Sequence, residues 1–203
     1  MSFRPPFLER FAASLQTLWK LLVRSGPDLT LAPDAVVLVL DVIEPYKDLW
    51  SVYHHFHLKR LLRLARANNN RIIFTRWERT RSHPADAIAA RGAHWSFVLP
   101  DDAFVDGAVP FLPGLVHESD EVLGVTTTNA LASSSLCIAD GAPLILSGMW
   151  LESCVINTAR AAAEAGHFVS VFAPACSGHF GVGWFALWTL QSLYADVCFA
   201  IRA

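Results

Sequence analysis

Apolar residues recur along this chain in two alternating patterns. Short apolar runs stand at Ala35–Leu40 (AVVLVL) and Leu144–Ser147, the signature of strands buried inside a sheet, and shorter or interrupted ones at Arg71–Thr75 and His167–Phe172 read as strands too. Between and around them the spacing is helical. Residues 5–24 place Phe7, Phe11, Leu15, Leu18, Trp19, Leu22 and Val23 at helical intervals, and residues 49–67 do the same with Leu49, Val52, Tyr53, Phe56, Leu61 and Leu64 before stopping at Asn68–Asn70. A further helix is predicted from the Gly148 break to Gly166, and a closing one over Phe180–Val197. Residues 80–120, rich in Pro, His, Gly and Asp, read as long loops with at most a short helix near Pro84–Ala90. Strands alternating with helices predict an α/β three-layer sandwich around a mainly parallel, doubly wound sheet. The expected division is an N-terminal helical extension over residues 1–30 and one domain over residues 31–203, with no internal repeat or linker.

Composition narrows the partners. The chain is 53% hydrophobic and 17% charged, yet no apolar run approaches the ~20 residues that cross a bilayer. That composition suits a homo-oligomer that hides part of its surface, with no stable membrane insertion. The polar positions of residues 5–24 (Glu9, Arg10, Lys20, Arg24) are not richly basic, so that helix is expected to pack on the domain or on a second subunit rather than on a membrane. A net charge of −2 and only three lysines give no general attraction to nucleic acid. Cys137, Cys154, Cys176 and Cys198 show no CxxC or metal spacing, and no secretory signal precedes the first strand, which fits a reducing cytoplasm.

In open α/β sheets, ligands bind at the carboxyl ends of the strands, and two chemically capable residues fall there. Asp41 follows Ala35–Leu40 directly; by itself it reads more readily as a turn or capping residue, and only its pairing with the Cys154 segment favours a chemical role. Cys154 falls in the first turn after the Leu144–Ser147 strand and Gly148, where unpaired N–H groups and the helix dipole favour a thiolate; it reads equally as a small buried apolar residue. Trp77, after the second strand, is a candidate pocket aromatic, and His94, Trp95 and His117 could reach a ligand from the loops. His54 and His57 share a helix face, but no carboxylate or cysteine stands at matching spacing, so no metal site is expected.

The segment SGMWLESCVINTARAA resembles the nucleophile segment of the isochorismatase-like cysteine hydrolases, a family that includes nicotinamidases, whose pattern is roughly G-x-x-x-E/D-x-C-V-x-x-T-A. Gly148, Glu152, Cys154, Val155, Thr158 and Ala159 match it. The resemblance covers about residues 34–200 and implies the isochorismatase-like hydrolase fold. It implies Asp41 as proton shuttle, Cys154 as nucleophile, a cis peptide at Met149–Trp150, and an oxyanion hole from the N–H groups of Trp150 and Cys154. Trp77, Tyr46 and Met149 are the substrate-binding candidates. No cofactor or metal is implied, because the family's D-x-H metal motif is replaced by Trp77-Glu78-Arg79. Other departures are Ile43 for a glutamine, bulky Trp150 for a small residue, Pro174 for an aspartate, and Val125 where the family's lysine should stand beside the cysteine. Without that ammonium the expected machinery is a dyad rather than a triad.

The function expected is hydrolysis of a small amide or related acyl substrate. The alternatives are an Asp41-dependent vinyl-ether hydrolase of isochorismatase type, in which Cys154 is dispensable, and a non-catalytic small-molecule-binding homologue. Aromatic residues and few cations near the inferred pocket suggest a small, flat or apolar, uncharged ligand.

Overall fold

Every residue of β2 (Val36–Leu40) is buried, and its side chains alternate between two separate apolar layers. Val37 and Val39 face one layer, Val36, Leu38 and Leu40 the other, as the period of two requires. A strand covered on both faces must lie inside a sheet with helices on either side. The computed structural model, which describes residues 26–77, 109–178 and 182–202, shows that arrangement.

Among the described residues the sheet is six-stranded and parallel throughout. It also contains β3 (Arg71–Trp77), β4 (Glu121–Val125), β5 (Leu144–Gly148), β6 (Val169–Cys176) and β7 (Asp196–Cys198), in the order β4-β3-β2-β5-β6-β7. A second, two-stranded parallel sheet joins β1 (Asp28–Leu29) to β8 (Ala200–Ile201). On one face lies α1 (Val52–Ala67), which buries Leu58, Leu61, Leu62 and Ala65 against Val37, Val39 and Phe74. On the other lie α2 (Ile156–Glu164) and α3 (Val182–Leu193), contributing Ala159, Ala162, Ala186 and Leu190. Small residues on α2 let it approach the sheet closely. At about 1.5–3 kcal/mol for each fully buried large aliphatic side chain, these two layers are the main source of cohesion.

Local signals set the boundaries. Ser51 caps α1 by accepting from the His54 N–H while the His54 ring accepts from the Ser51 N–H, so this histidine serves as a capping residue. The helix ends at Asn68–Asn70, where Asn69 takes the left-handed conformation (φ 56°) and the Asn70 amide donates to the carbonyls of Ala32 and Ala35, tying the helix end to the entry of β2. Gly166 (φ 88°) ends α2 as the sequence predicts.

Three expectations change. The closing helix over Phe180–Val197 stops at Leu193, because the N–H groups of Tyr194 and Ala195 both turn back to the Leu190 carbonyl; Val197 and Cys198 then form the edge strand β7. The strand beginning near His167 runs on to Cys176 through Pro174, which is tolerated because β7 pairs only with Ser170–Phe172 and leaves the proline beyond its end. The segment after Gly148 opens with a π-helical turn, Leu151–Val155, before α2 begins. The helix expected over residues 5–24, the one near Pro84–Ala90, and His94 and Trp95 lie outside the described residues. Among the described residues, no helix is long and apolar enough to cross a membrane.

Candidate active site

The carboxyl ends of four neighbouring strands converge on one place: Asp41 follows β2, Trp77 ends β3, Val125 ends β4 and Gly148 ends β5. Asp41 leaves the strand in the left-handed conformation (φ 49°), which aspartate tolerates better than most residues, and its carbonyl accepts from the Ile43 N–H. That reversal turns the carboxylate back over the sheet edge. Thr75 holds it there, with the threonine hydroxyl donating to Asp41 Oδ1 at 3.1 Å and accepting from the Asp41 N–H at 3.2 Å. The Trp77 N–H and the Cys154 thiol also donate to the carboxylate.

Cys154 reaches Asp41 through the turn after β5. Gly148 (φ 112°) is required there: a Cβ would lie 2.1 Å from the Leu40 carbonyl oxygen and 2.6 Å from the Leu40 nitrogen. The next peptide, Met149–Trp150, is cis, and the Met149 N–H returns to the Leu40 carbonyl at 2.7 Å. The π-helical turn follows, with the Val155 N–H reaching five residues back to the Trp150 carbonyl. Its extra residue changes the helical phase, so that Leu151, Cys154 and Val155 all face inward ahead of Thr158, Ala159 and Ala162. On its far side the turn is fastened to the end of β6: the Leu151 N–H donates to the Ser177 carbonyl, and the Ser177 N–H to the Gly148 carbonyl.

The electrostatics differ from the expectation of a dipole-stabilised thiolate. Burial pushes the Asp41 carboxyl up to about 6, against the hydrogen bonds from Cys154, Thr75 and Trp77 that pull it down. Cys154 is held well above the ordinary thiol value, first by burial and then by the Asp41 charge and their shared hydrogen bond; the Trp150 N–H and the Ser153 hydroxyl, both directed at the sulfur, oppose this only in part. A helix N-terminus contributes about 0.3–1 kcal/mol, or up to about 2 in partly buried geometries, whereas withdrawing an ion from water costs several. Desolvation wins. At neutral pH the pair rests as a thiol donating to a carboxylate.

The remaining residues divide between the two layers. Tyr46, Met149 and Trp150 belong to the layer shared with α1, and Met149 is completely enclosed. The Tyr46 and Trp150 rings meet edge to face at 5.2 Å, and burial holds the Tyr46 phenol above its ordinary value although the Trp150 indole donates to it. Trp77 is half-buried against both layers, and its indole nitrogen has no hydrogen-bond partner among the described residues. Val125, 4% exposed, packs in the same layer as Cys154, and Ile43 is wholly core. His117 is not part of this constellation; it sits exposed in a turn with Ser119 and Asp120. Thr75, Ser153 and Ser177 escape the sequence reading as contributors. A buried threonine in an otherwise apolar strand was the available signal for Thr75.

The isochorismatase domain model matches residues 57–198. Solved structures of similar fold include an isochorismatase from Pseudomonas putida (20% identity, 89% of this chain and 95% of that one, TM-score 0.60) and a pyrazinamidase/nicotinamidase from Streptococcus mutans (16% identity, 80% and 99%, TM-score 0.66). A MAR1 ribonuclease from Caenorhabditis elegans shares it too (17% identity, 84% and 80%, TM-score 0.60). No curated protein sequence matches the chain.

Proposed function

Because the chain belongs to the isochorismatase family, we propose that it hydrolyses a small, uncharged amide or related acyl substrate through Cys154 and Asp41. The observation that carries this reading is the hydrogen bond from the Cys154 thiol to a carboxylate that Thr75 holds in place. A thiol and an ionised base in contact are the two components a covalent acyl transfer needs before substrate arrives.

As the sulfur attacks the carbonyl carbon, the thiol proton passes to Asp41. The carbonyl oxygen takes the negative charge beside the N–H groups of Trp150 and Cys154. Collapse of this intermediate breaks the C–N bond, and Asp41 returns its proton to the leaving nitrogen, leaving a thioester. Water then adds, giving a proton to Asp41; the S–C bond breaks, the acid departs and the sulfur recovers its proton. No free thiolate is needed in the resting protein, which suits a strand end where Val125 supplies no positive charge. Trp77, Tyr46 and Trp150 give the site an aromatic rather than ionic character, in keeping with an uncharged substrate.

The test is ammonia release from a panel of neutral aliphatic and aromatic carboxamides. Turnover by the parent and none by folded Cys154→Ala supports the reading; full activity in Cys154→Ala sinks it. The Asp41 value of about 6 favours one second reading, since a carboxyl partly protonated near neutrality can act as a general acid toward a vinyl ether without the cysteine. In that case Asp41→Asn is fatal and Cys154→Ala is not.

A further inference from the structure

Side chains alternate along β3, so Trp77 shares a face with Thr75, two residues before it, whose hydroxyl holds the Asp41 carboxylate. Trp77 also pairs in register with Val125, which packs in the layer that holds Cys154. Its ring nevertheless packs against both layers, which the last residue of a strand can do only by lying across the end of the sheet. The Trp77 backbone N–H donates to Asp41, as does the Cys154 thiol. The indole thus covers the strand ends on the face where carboxylate and sulfur meet.

That ring buries a polar atom that the fold does not use. The Trp77 indole nitrogen is enclosed, yet it has no hydrogen-bond partner among the described residues. A desolvated donor destabilises the free protein and regains its bond when an acceptor arrives. The surrounding groups decide which acceptor suits it. Val125 brings no cation, and Arg76, on the opposite face of β3, lies over the Phe111 ring at 5.8 Å. With no cation on this face among these neighbours, the Asp41 charge repels a carboxylate or a phosphate. An uncharged oxygen or nitrogen acceptor meets no such repulsion.

Resting on the acyl-transfer reading above, we propose that the Trp77 indole N–H binds a second, uncharged acceptor on the substrate, a carbonyl oxygen or ring nitrogen separate from the carbonyl under attack. In that reading the reacting oxygen is held from the β5 side by the N–H groups of Trp150 and Cys154. Trp77 reaches in from the β3 side and orients the rest of the acyl group. An amide without the second acceptor leaves the buried donor unpaired and is discriminated against. The substrate class narrows from small neutral amides to those that carry another neutral acceptor.

The experiment labels the full chain with indole-¹⁵N tryptophan and assigns the Trp77 signal by its loss in Trp77→Phe. Cys154 is alkylated to completion at alkaline pH with iodoacetamide, or with iodoethane, whose adduct has no acceptor. The carboxamide carbonyl stands one carbon beyond the sulfur-bound carbon, where the second acceptor belongs. The expected result is a downfield shift and slower solvent exchange of the Trp77 indole proton with the carboxamide adduct alone, and neither change in Cys154→Ala treated identically. A signal that stays put, or moves equally with both adducts, overturns the proposal. In folded Trp77→Phe the ratio of the Cys154 rates with iodoacetamide and iodoethane should fall roughly three- to tenfold, the worth of one neutral hydrogen bond. An unchanged ratio overturns it too, including one in which both rates fall together, as lost packing would produce. Neither readout needs turnover. Cys154-dependent ammonia release with an unmoved indole signal sinks this inference alone; a shifted signal without such turnover sinks the acyl-transfer reading alone.

Discussion

The Thr75 hydroxyl donates to Asp41 Oδ1 at 3.1 Å and accepts the same residue's N–H at 3.2 Å, so one side chain sets both the backbone direction and the carboxylate direction of Asp41. Thr75 is fully buried, and its hydroxyl has no water to fall back on.

Replacing it with valine keeps the shape and removes both bonds. Because the Thr75 hydrogen bond lowers the Asp41 value, Thr75→Val should move the acid limb of the pH–rate profile above the parent's pH of about 6, and cost on the order of 1–3 kcal/mol of stability. Rates on the best carboxamide from pH 5 to 9 measure the shift. Thr75→Ser should restore most of it; a profile unmoved in Thr75→Val excludes the positioning role.

Asp41 itself is a thermodynamic burden at neutral pH. Its folded value is raised from 3.8 to about 6, so as pH rises from about 4 to 6 the unfolded chain ionises first and the native state loses on the order of 3 kcal/mol relative to acid. Above pH 6 the loss is complete. Asp41→Asn, which keeps the left-handed backbone accessible, removes that contribution. Urea midpoints at pH 4 and pH 7 should show the parent losing stability on neutralisation that the variant keeps; parallel behaviour of the two proteins rules this out.

Alkylation by iodoacetamide, located by peptide mass spectrometry, reads the state of the sulfur. Cys154 should react more slowly than exposed Cys137 at pH 7, since burial and the Asp41 charge both disfavour its thiolate. Val125→Lys places an ammonium at the end of β4, in the layer that holds Cys154. In folded protein it should speed Cys154 alkylation at least about tenfold, the equivalent of one pKa unit. A folded variant with the parental rate would show that Val125 does not border the sulfur in any electrostatically useful sense.

Gly148→Ala tests the turn. Its Cβ would strike the backbone of Leu40, which belongs to the central strand and cannot move aside, and its φ of 112° is closed to alanine. The expectation is a loss of more than about 3 kcal/mol, or no soluble protein. Gly166→Ala, at φ 88° with open space around the missing Cβ, should cost about 1 kcal/mol or a little more; equal midpoints for the two variants contradict the steric account.

Much of this was legible in the chain. Apolar runs announced β2, β3 and β5, and the residues closing two of them, Asp41 and Gly148, stand where the site forms. The isochorismatase-like motif identified the segment carrying Cys154 and located the cis peptide at Met149–Trp150. What escaped detection depends on contacts between distant segments. A π-helical turn has no apolar period of its own, so the spacing around Cys154 reads as ordinary helix. The bond between Thr75 and Asp41 spans 34 residues of sequence. The raised value of Cys154 follows from how deeply the two layers close over it, while the local signal, a helix start, points the other way.

The enclosure of Cys154 has a consequence for the protein's chemical lifetime. Peroxides attack thiolates, and burial raises the values of Cys154, Cys176 and Cys198 alike. Under the mechanism proposed above, Cys154 would give up its proton only with substrate in place and would spend its idle time in the form least open to sulfenic acid and the irreversible acids beyond it. Oxidative damage should then fall first on Cys137, the exposed member of the four, and join two molecules through a disulfide while each site stays reduced.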